Sequence, residues 1–361
     1  MRRLRASAGL RGLVRETDLR PGQLVLPLFV AQDGAAPADA DASAGGQGPG
    51  QRSPGRAGGG EAAKSQALGA TAAGVALPAL ERLSISGAIA RAREAGELGL
   101  GGVLLFGVPA HKDADGTGAY DEEGIVQLAV QAIKRALPDG PLVITDVCLC
   151  EYTDHGHCGV VREDGLIDND ATLELLARVA VSHARAGADL VAPSDMMDGR
   201  VGALRAELDA EGYAELPILA YSAKFASAFY GPFRDAVGSA PASGDRRTHQ
   251  LDPANGAQAL REAVLDAGEG ADMLMVKPAL AYGDCLAAIA RATGLPVAAY
   301  NVSGEYAMVR AGASAGLLDE REAVLEILTS LARAGASTIV TYHALETARW
   351  LDGAHTGTRG L

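Results

Sequence analysis

The sequence predicts an α/β chain whose body is a (β/α)8, or TIM, barrel, and three observations carry that expectation. Short aliphatic or β-branched runs alternate eight times with segments of helical periodicity, the pattern of a parallel sheet covered by helices. The aliphatic runs are continuous rather than alternating, as strands buried on both faces require. No GxGxxG or GxxxxGK fingerprint opens the first helix, which counts against an open doubly wound sheet.

The elements follow in order. The first strand is QLVLPLFV (23–30), and its helix is delayed to ISGAIARAREAGELG (85–99). GVLLFG (102–107) precedes EEGIVQLAVQAIKRAL (122–137), and LVITDVCL (142–149) precedes DATLELLARVAVSHARAG (170–187). DLVAPSD (189–195) pairs with GRVGALRAELDAEG (199–212), and PILAYS (217–222) with GAQALREAVLDAGEG (256–270). MLMVKP (273–278) pairs with GDCLAAIARATG (283–294), PVAAYNVS (296–303) with EREAVLEILTSLARAG (320–335), and STIVTYH (337–343) with ALETARWLD (344–352). Several helices stop at a glycine just before the next strand, as in HARAGADL and LARAGAST, the usual C-terminal signal.

Two segments stand outside the repeat. Residues 1–22 are basic (MRRLRASAGLRGLVRE at their start) and lack the apolar stretch of a signal peptide. They are expected to form an N-terminal arm packing on a neighbouring subunit, with an organellar transit peptide as the alternative reading. Residues 33–74 are dominated by Gly, Ala, Pro, Ser and Asp, with too little apolar surface to offset the entropy of ordering, so a disordered surface insertion is expected. The catalytic barrel is then 23–361.

Hydrophobic residues make up 48% of the 361, enough for a large core, but aromatics are only 4%, so that core is built from aliphatic side chains. The formal net charge of −13 argues against a nucleic-acid or anionic-membrane partner. No apolar run approaches the length of a membrane span. With no targeting signal evident, a cytoplasmic location is expected.

In such a barrel the active site lies at the C-terminal ends of the strands, and reactive residues collect there. Strand three ends in Asp146, Cys148 and Cys150, and strand four in Ser194 and Asp195. Strand five ends in Tyr221 and Ser222 with Lys224 just beyond; strands six, seven and eight end in Lys277, Ser303 and Tyr342. Lys277 closes an otherwise apolar strand. Either it is desolvated, so that its amine is neutral and can attack a carbonyl to form a Schiff base, or it reaches solvent or a carboxylate at the barrel mouth. Lys224 at the neighbouring rim position would place two cations in one pocket, each depressing the other's pKa.

The cysteine cluster reads DVCLCEYTDHGHCG. Cys148 and Cys150 straddle one residue, so strand alternation points both the same way, and Cys158 returns after a short loop. Three thiolates can hold Zn²⁺ with one position left open, and sulfur ligands favour zinc over Mg²⁺; the alternative is three free thiols. His155 and His157 are candidate further ligands or proton partners. The segment 225–250 mixes Gly, Pro and Ser with Arg234, Arg246 and Arg247. It reads as a lid whose arginines bind a carboxylate, or as an ordinary basic loop.

Together these stretches resemble 5-aminolevulinate dehydratase (porphobilinogen synthase). The matching segments include RGLVRET, LPLFV, LLFGVP, DVCLCEYTDHGHCG, VAPSDMMDGR, YSAKFASAFYGPFRDA, GDRR, GADMLMVKPAL, VSGEYAM and TYHALE, from Arg11 to the C-terminal helix. The resemblance implies that two molecules of 5-aminolevulinate condense to porphobilinogen, a step of haem and tetrapyrrole biosynthesis. Lys277 would form the Schiff base with the substrate that becomes the propionate side, and Lys224 with the second substrate. Asp146, Ser194, Tyr221, Phe233, Ser303 and Tyr342 match the first substrate's pocket, with Ser303 and Tyr342 on its carboxylate. Arg234, Arg246 and Gln250 match the positions holding the second carboxylate.

Cys148, Cys150 and Cys158 match the ligands of the zinc-dependent branch; other branches carry aspartate and other residues there. Glu262 matches the carboxylate of an allosteric Mg²⁺ site that some members have at a subunit contact. The resemblance further implies a homo-octamer with an embracing N-terminal arm. Two departures are visible: the insertion lacks the family's Met-Pro-Gly segment, and Thr248 stands where some animal members have a further cysteine, so no second zinc site is expected. Two other functions remain on the residues alone. A class I Schiff-base aldolase on another small keto substrate needs Lys277 but not Lys224 or the thiols. A non-enzymatic zinc-binding or redox module uses the thiols and leaves the lysines idle.

Overall fold

The computed structural model describes residues 2–33, 71–72, 75–239 and 245–356. Its body is an eight-stranded parallel barrel: β1 (Leu24–Ala31), β2 (Gly102–Val108), β3 (Leu142–Val147), β4 (Leu190–Pro193), β5 (Leu219–Lys224), β6 (Met273–Lys277), β7 (Val297–Asn301) and β8 (Ala336–Thr341). Each strand pairs with its sequence neighbours, and β8 pairs with β1 through Leu24↔Ile339 and Val25↔Val340. The ring closes between β4 and β5 by one parallel bridge, Val191↔Ile218, where the Val191 amide donates to the Pro217 carbonyl at 3.2 Å.

Helices cover the outside: α1 (Ile85–Glu97), α2 (Ile125–Ala136), α3 (Asn169–Ala186), α4 (Arg200–Ala210), α5 (Gly256–Gly268), α6 (Gly283–Thr293), α7 (Glu320–Ala334) and α8 (Ala344–Thr356). Every strand–helix pair expected from periodicity is present, with ends displaced by a few residues. The local chemistry explains the boundaries. Ser84, Asp168, Asn255 and Asp319 cap α1, α3, α5 and α7 by accepting from backbone amides, satisfying donors that a helix N-terminus leaves open. Gly187 (φ +97°) and Gly335 (φ +117°) end α3 and α7 in the left-handed region, where a Cβ is disfavoured.

Buried apolar residues divide into two sets. One lies between strands and helices and includes Leu24, Val103, Val143, Val191, Leu274 and Ile339. The other fills the barrel and includes Val25, Phe29, Leu104, Phe106, Ile144, Leu219, Tyr221, Met275, Tyr300 and Val340. Alternation within each strand separates the sets, and the barrel interior is a packed core rather than a pore.

Within the barrel, two helices beyond the eight were not legible from periodicity. Gly231–Val237 lies in the segment after β5, and Ser303–Ser314 lies between β7 and α7. The second is nucleated by buried Glu305, whose carboxylate accepts from the Val302 amide (2.9 Å), Asn301 Nδ2 (2.9 Å) and the Leu280 amide (3.1 Å).

Of the insertion expected at 33–74, residues 34–70, 73 and 74 lie outside the described residues, and the expected disorder lies there with them. Thr71–Ala72 pairs antiparallel with Val75–Ala76. The N-terminal segment forms a 3-10 turn (Arg2–Arg5) and a short helix (Ala8–Leu13) that bury no side chain, and Leu13 and Val14 are 79% and 50% exposed. Among the described residues, no helix is long and apolar enough to cross a membrane.

Candidate active site

Inward-facing positions at the C-terminal ends of the strands bring Lys224 and Lys277 together at one end of the barrel, with Ser194 and Cys150 beside them. On β6 the alternation is regular: Met275 and Lys277 face in, while Leu274 and Val276 face the helices. On β5 it is not. Tyr221 and Lys224 are three residues apart, which simple alternation would send to opposite faces. A bulge corrects this: Ala220 pairs with Leu274 and Ala223 with Val276, so Tyr221 and Ser222 together oppose Met275. The extra residue re-aims the strand end and sets Lys224 directly opposite Lys277 in the ladder. Both lysines are buried.

Lys277 stands among aromatic rings. Its Nζ lies 4.5 Å from the ring centroid of Tyr300, 5.0 Å from Phe233, 5.1 Å from Tyr221, 5.5 Å from Tyr230 and 5.9 Å from Phe106. Burial, and then the charge of Lys224, bring its pKa down to about 7, against the pull of Asp146 and Glu151. A substantial neutral fraction is therefore available near neutrality, as an amine nucleophile needs. The ring faces can also stabilise positive charge that develops there.

Lys224 corrects the expectation that each lysine lowers the other's pKa. Its burial works against the ammonium, but Cys158, Cys148, Cys150 and Asp146 outweigh it and hold the pKa above its ordinary value. The ammonium also donates to the Ser194 carbonyl. Asp146 feels both amines: burial, then Glu151, push its carboxyl up to about 8, while Lys224 and Lys277 pull it down. Its Oδ2 accepts from Ser194 Oγ at 3.1 Å, and its Oδ1 is buried without a partner.

Cys148, Cys150 and Cys158 are buried and free of disulfides, and their sulfurs lie within 4.8 Å of one another. Cys148 Sγ and Cys150 Sγ are 3.5 Å apart. Cys150 sits in a turn beyond β3 rather than on the strand, so turn geometry as well as alternation aims it. Hydrogen bonds from Cys148 and Cys150 favour the thiolate of Cys158 and bring its pKa well down. Three converging sulfurs at this spacing fit a thiophilic ion. Glu151 was not among the sequence candidates. It is buried, its Oε2 lies 3.3 Å from Cys150 Sγ, and with Asp146 and Cys148 it forms a second compact ligand set. Burial, then Cys150, push its carboxyl up to about 8. Its position directly after Cys150 in the loop was the available sign.

The carboxylate-binding candidates form two groups. Ser303 opens its helix, and its Oγ accepts from the Phe233 amide at 3.0 Å. The Tyr342 hydroxyl lies 3.3 Å from that of Tyr300. Tyr230 also lines the pocket and Tyr300 flanks Lys277; neither is among the residues singled out in the sequence. On the other side, Arg246 donates to the Gly156 carbonyl at 2.7 Å and to the Ser239 carbonyl, and Gln250 has no partner for either side-chain polar atom. Arg234 is half-buried with its Nε unpaired, and burial, then Arg246, lower its pKa.

One small pocket joins Phe106, Cys150, Ser194, Lys224, Arg246 and Lys277. Its cover is the helix Gly231–Val237, which carries Phe233 and Arg234. Glu262 is not in this assembly. It lies on α5, half-buried, where burial and Asp198 raise its pKa. His155 and His157 belong to the cysteine loop: the His157 amide donates to His155 Nδ1 at 3.1 Å, and His155 Nε2 lies 3.1 Å from the Ala114 carbonyl.

Comparison with known proteins agrees with this geometry. A family model described as delta-aminolevulinic acid dehydratase matches residues 67–350. The delta-aminolevulinic acid dehydratase of Halalkalibacterium halodurans is 49% identical over 351 residues, covering 97% of this chain and 96% of that protein. That of Bacillus subtilis is 47% identical over 350 residues, with 97% of each covered. The crystal structure of delta-aminolevulinic acid dehydratase (porphobilinogen synthase) from Toxoplasma gondii, in complex with the reaction product porphobilinogen, superposes with a TM-score of 0.85. It is 41% identical and covers 100% of this chain and 93% of its own.

Proposed function

This chain belongs to the delta-aminolevulinic acid dehydratase family, and from that premise we propose how its residues divide the work. The reaction condenses two molecules of 5-aminolevulinate into one porphobilinogen with loss of two waters. The observation that carries the assignment of roles is the pair Lys224 and Lys277, buried, in register on adjacent strands and beside three buried thiols.

The neutral amine of Lys277 attacks the keto carbon of the first substrate and, on loss of water, holds it as an imine. Aromatic faces of Tyr300, Phe233 and Tyr221 surround that nitrogen and stabilise its protonated form. Ser303 and Tyr342 bind the first carboxylate. Lys224, after its ammonium gives a proton to the carboxylate of Asp146, attacks the keto carbon of the second substrate and, on loss of water, forms its imine; Arg234, Arg246 and Gln250 hold that substrate's carboxylate. Asp146, with its carboxyl near neutrality, passes protons at the two lysine nitrogens. Ser194 keeps its carboxyl oriented.

Cys148, Cys150 and Cys158 would hold Zn²⁺, the ion their sulfur donors select. When bound, it supplies a Lewis acid that polarises the second substrate and activates water. Glu262 would provide the carboxylate of an allosteric Mg²⁺ site. The exposed apolar residues Leu13 and Val14 support an arm over residues 1–22 that packs on a neighbouring subunit in a homo-octamer. The enzyme would act in the cytoplasm.

A class I aldolase acting on another keto substrate would need Lys277 alone and would give Lys224 and the thiols no task. Two measurements test the proposal: a colorimetric pyrrole assay with 5-aminolevulinate, with and without Zn²⁺, and borohydride trapping followed by peptide mapping. Pyrrole formation with an adduct at Lys277 is expected. Trapping elsewhere, or pyrrole formation undiminished in metal-free protein, overturns the roles given to Lys277 or to the cysteines respectively.

A further inference from the structure

The helix Gly231–Val237 has seven residues, too short to be stable by its own hydrogen bonds. Its position must come from what holds its ends. At the N-terminal end the Tyr230 hydroxyl donates to the carbonyls of Phe225 (2.8 Å) and Lys277 (3.0 Å), and the Phe233 amide donates to Ser303 Oγ. These bonds tie that end to the strands.

The C-terminal end is held differently. Arg82 Nε donates to the Ala236 carbonyl at 2.6 Å, and its Nη2 reaches the Asp235 carbonyl at 3.4 Å. Lys112 Nζ donates to the Gly238 carbonyl at 2.7 Å and reaches the Val237 carbonyl at 3.4 Å. Two cations, one before α1 and one after β2, thus take four consecutive carbonyls at the negative end of the helix, where positive charge is most favourable. Gly238 completes the stop at φ +60°, and a Cβ there would sit 3.8 Å from Lys112 Nζ and 3.9 Å from Arg82 Nη2.

We propose that Arg82 and Lys112 form a two-cation clamp on the C-terminal end of this helix, making both positioning residues for the second substrate. Neither belongs to the pocket lining. They act through the helix, which sets Phe233 over Lys277 and points Arg234 into the pocket. The link to substrate rests on the function proposed above; the clamp itself rests only on the contacts. Lys277, Lys224 and the cysteines are carried by the strands and the β3 loop, so loosening the helix weakens substrate capture more than chemistry.

The test uses the full-length, metal-replete enzyme carrying Arg82→Gln with Lys112→Met, each single change, and the conservative pair Arg82→Lys with Lys112→Arg. Amide hydrogen exchange over residues 231–239 is read without substrate, alongside KM and kcat. Loss of two charge-assisted hydrogen bonds predicts that the double variant exchanges at least about 10-fold faster there, with KM up about 10-fold and kcat within about 3-fold. The conservative pair is expected to stay near the parent in both readings.

Parent-like exchange in the double variant overturns the clamp, and any rise in KM then belongs to lost positive charge near an anionic substrate. Faster exchange with unchanged KM overturns the positioning role. If the double variant does not fold, Lys112→Met retains the aliphatic stem, and the same two readings decide on that variant. Because exchange is measured without turnover, failure of the proposed chemistry would leave the clamp standing or falling on its own.

Discussion

The two halves of the pocket hold the same functional group in opposite electrostatic states. Around Lys277 the walls are aromatic, and burial with a neighbouring cation takes its pKa to about 7. Around Lys224 the Ser194 carbonyl and one ring, Tyr221 at 5.8 Å, stand with the cysteine cluster, and the charge of the cysteines and Asp146 outweighs burial to keep the ammonium. One ladder register places the amines side by side, yet their surroundings make one a ready nucleophile and the other an ammonium beside the cysteine cluster, which must lose a proton before it can attack. A lysine's role in this barrel is therefore set by the neighbouring strand ends rather than by its own.

The comparison breaks most sharply if the lysine of the aromatic half is removed. Lys277→Ala is expected to lower turnover by at least about 10⁴-fold, the scale seen when a covalent nucleophile is lost. The fold should remain, because the change deletes a buried amine rather than a packed apolar group. Near-normal pyrrole formation by this variant would end the assignment.

Metal removal should separate the halves. With the ion stripped by a thiol-compatible chelator, product formation is expected to fall by at least about 100-fold, and added Zn²⁺ should restore it. Borohydride trapping at Lys277 should survive, because none of the rings around it carries a metal ligand. Cys158→Ser should lose both the ion, by direct metal analysis, and the zinc rescue. Trapping at Lys277 that disappears with the ion would show the two halves to be one coupled unit.

A pH series tests the state of Lys277 without the second half. Trapping of the first substrate should follow the free amine and fall as pH drops through about 7. Stability has a defined sign as well. Between the folded value of about 7 and the unfolded value near 10.5, the unfolded chain binds more protons, so this group makes stability rise with pH across that window. Lys277→Met should therefore melt above the parent, by a margin that is full below pH 7 and shrinks as pH rises toward 10.5. A margin independent of pH would mean that the lysine is not desolvated.

The strand-borne part of the site was readable in the sequence because alternation is local: Met275 and Lys277 on β6, or Asp146 on β3, announce their facing by position. Lys224 was readable as a rim lysine, but its facing was not. Its parity with Tyr221 is wrong without the bulge at Tyr221–Ser222, and a bulge depends on the partner strand. The direction of the Lys224 pKa is hidden for a similar reason, since it depends on cysteines carried by another strand's loop. Glu151 and Lys112 lie on irregular backbone, and Arg82 on a strand of only two residues, Arg82–Leu83, so no periodicity reports their direction. The helix at Ser303–Ser314 depends on the buried carboxylate of Glu305 and its three backbone and amide partners, a tertiary cap that propensity does not encode.

The finest test of the comparison concerns Tyr300, which stands beside both Lys277 and Tyr342. Its ring is the nearest to Lys277 Nζ, at 4.5 Å, and its hydroxyl lies 3.3 Å from that of Tyr342. Tyr300→Phe keeps the ring and deletes the hydroxyl. If the aromatic half serves mainly to desolvate and stabilise the nitrogen, kcat should hold within about 2-fold, while KM rises about 3-fold through a less well-oriented Tyr342, a loss of the order of one neutral hydrogen bond. Tyr300→Leu also removes the π face and should lower kcat further, by about 3- to 10-fold, the scale of a cation–π contact in a desolvated site. Equal kcat in the two variants would mean that the ring faces contribute nothing beyond excluding water, and that burial alone distinguishes the Lys277 half of the pocket from the Lys224 half.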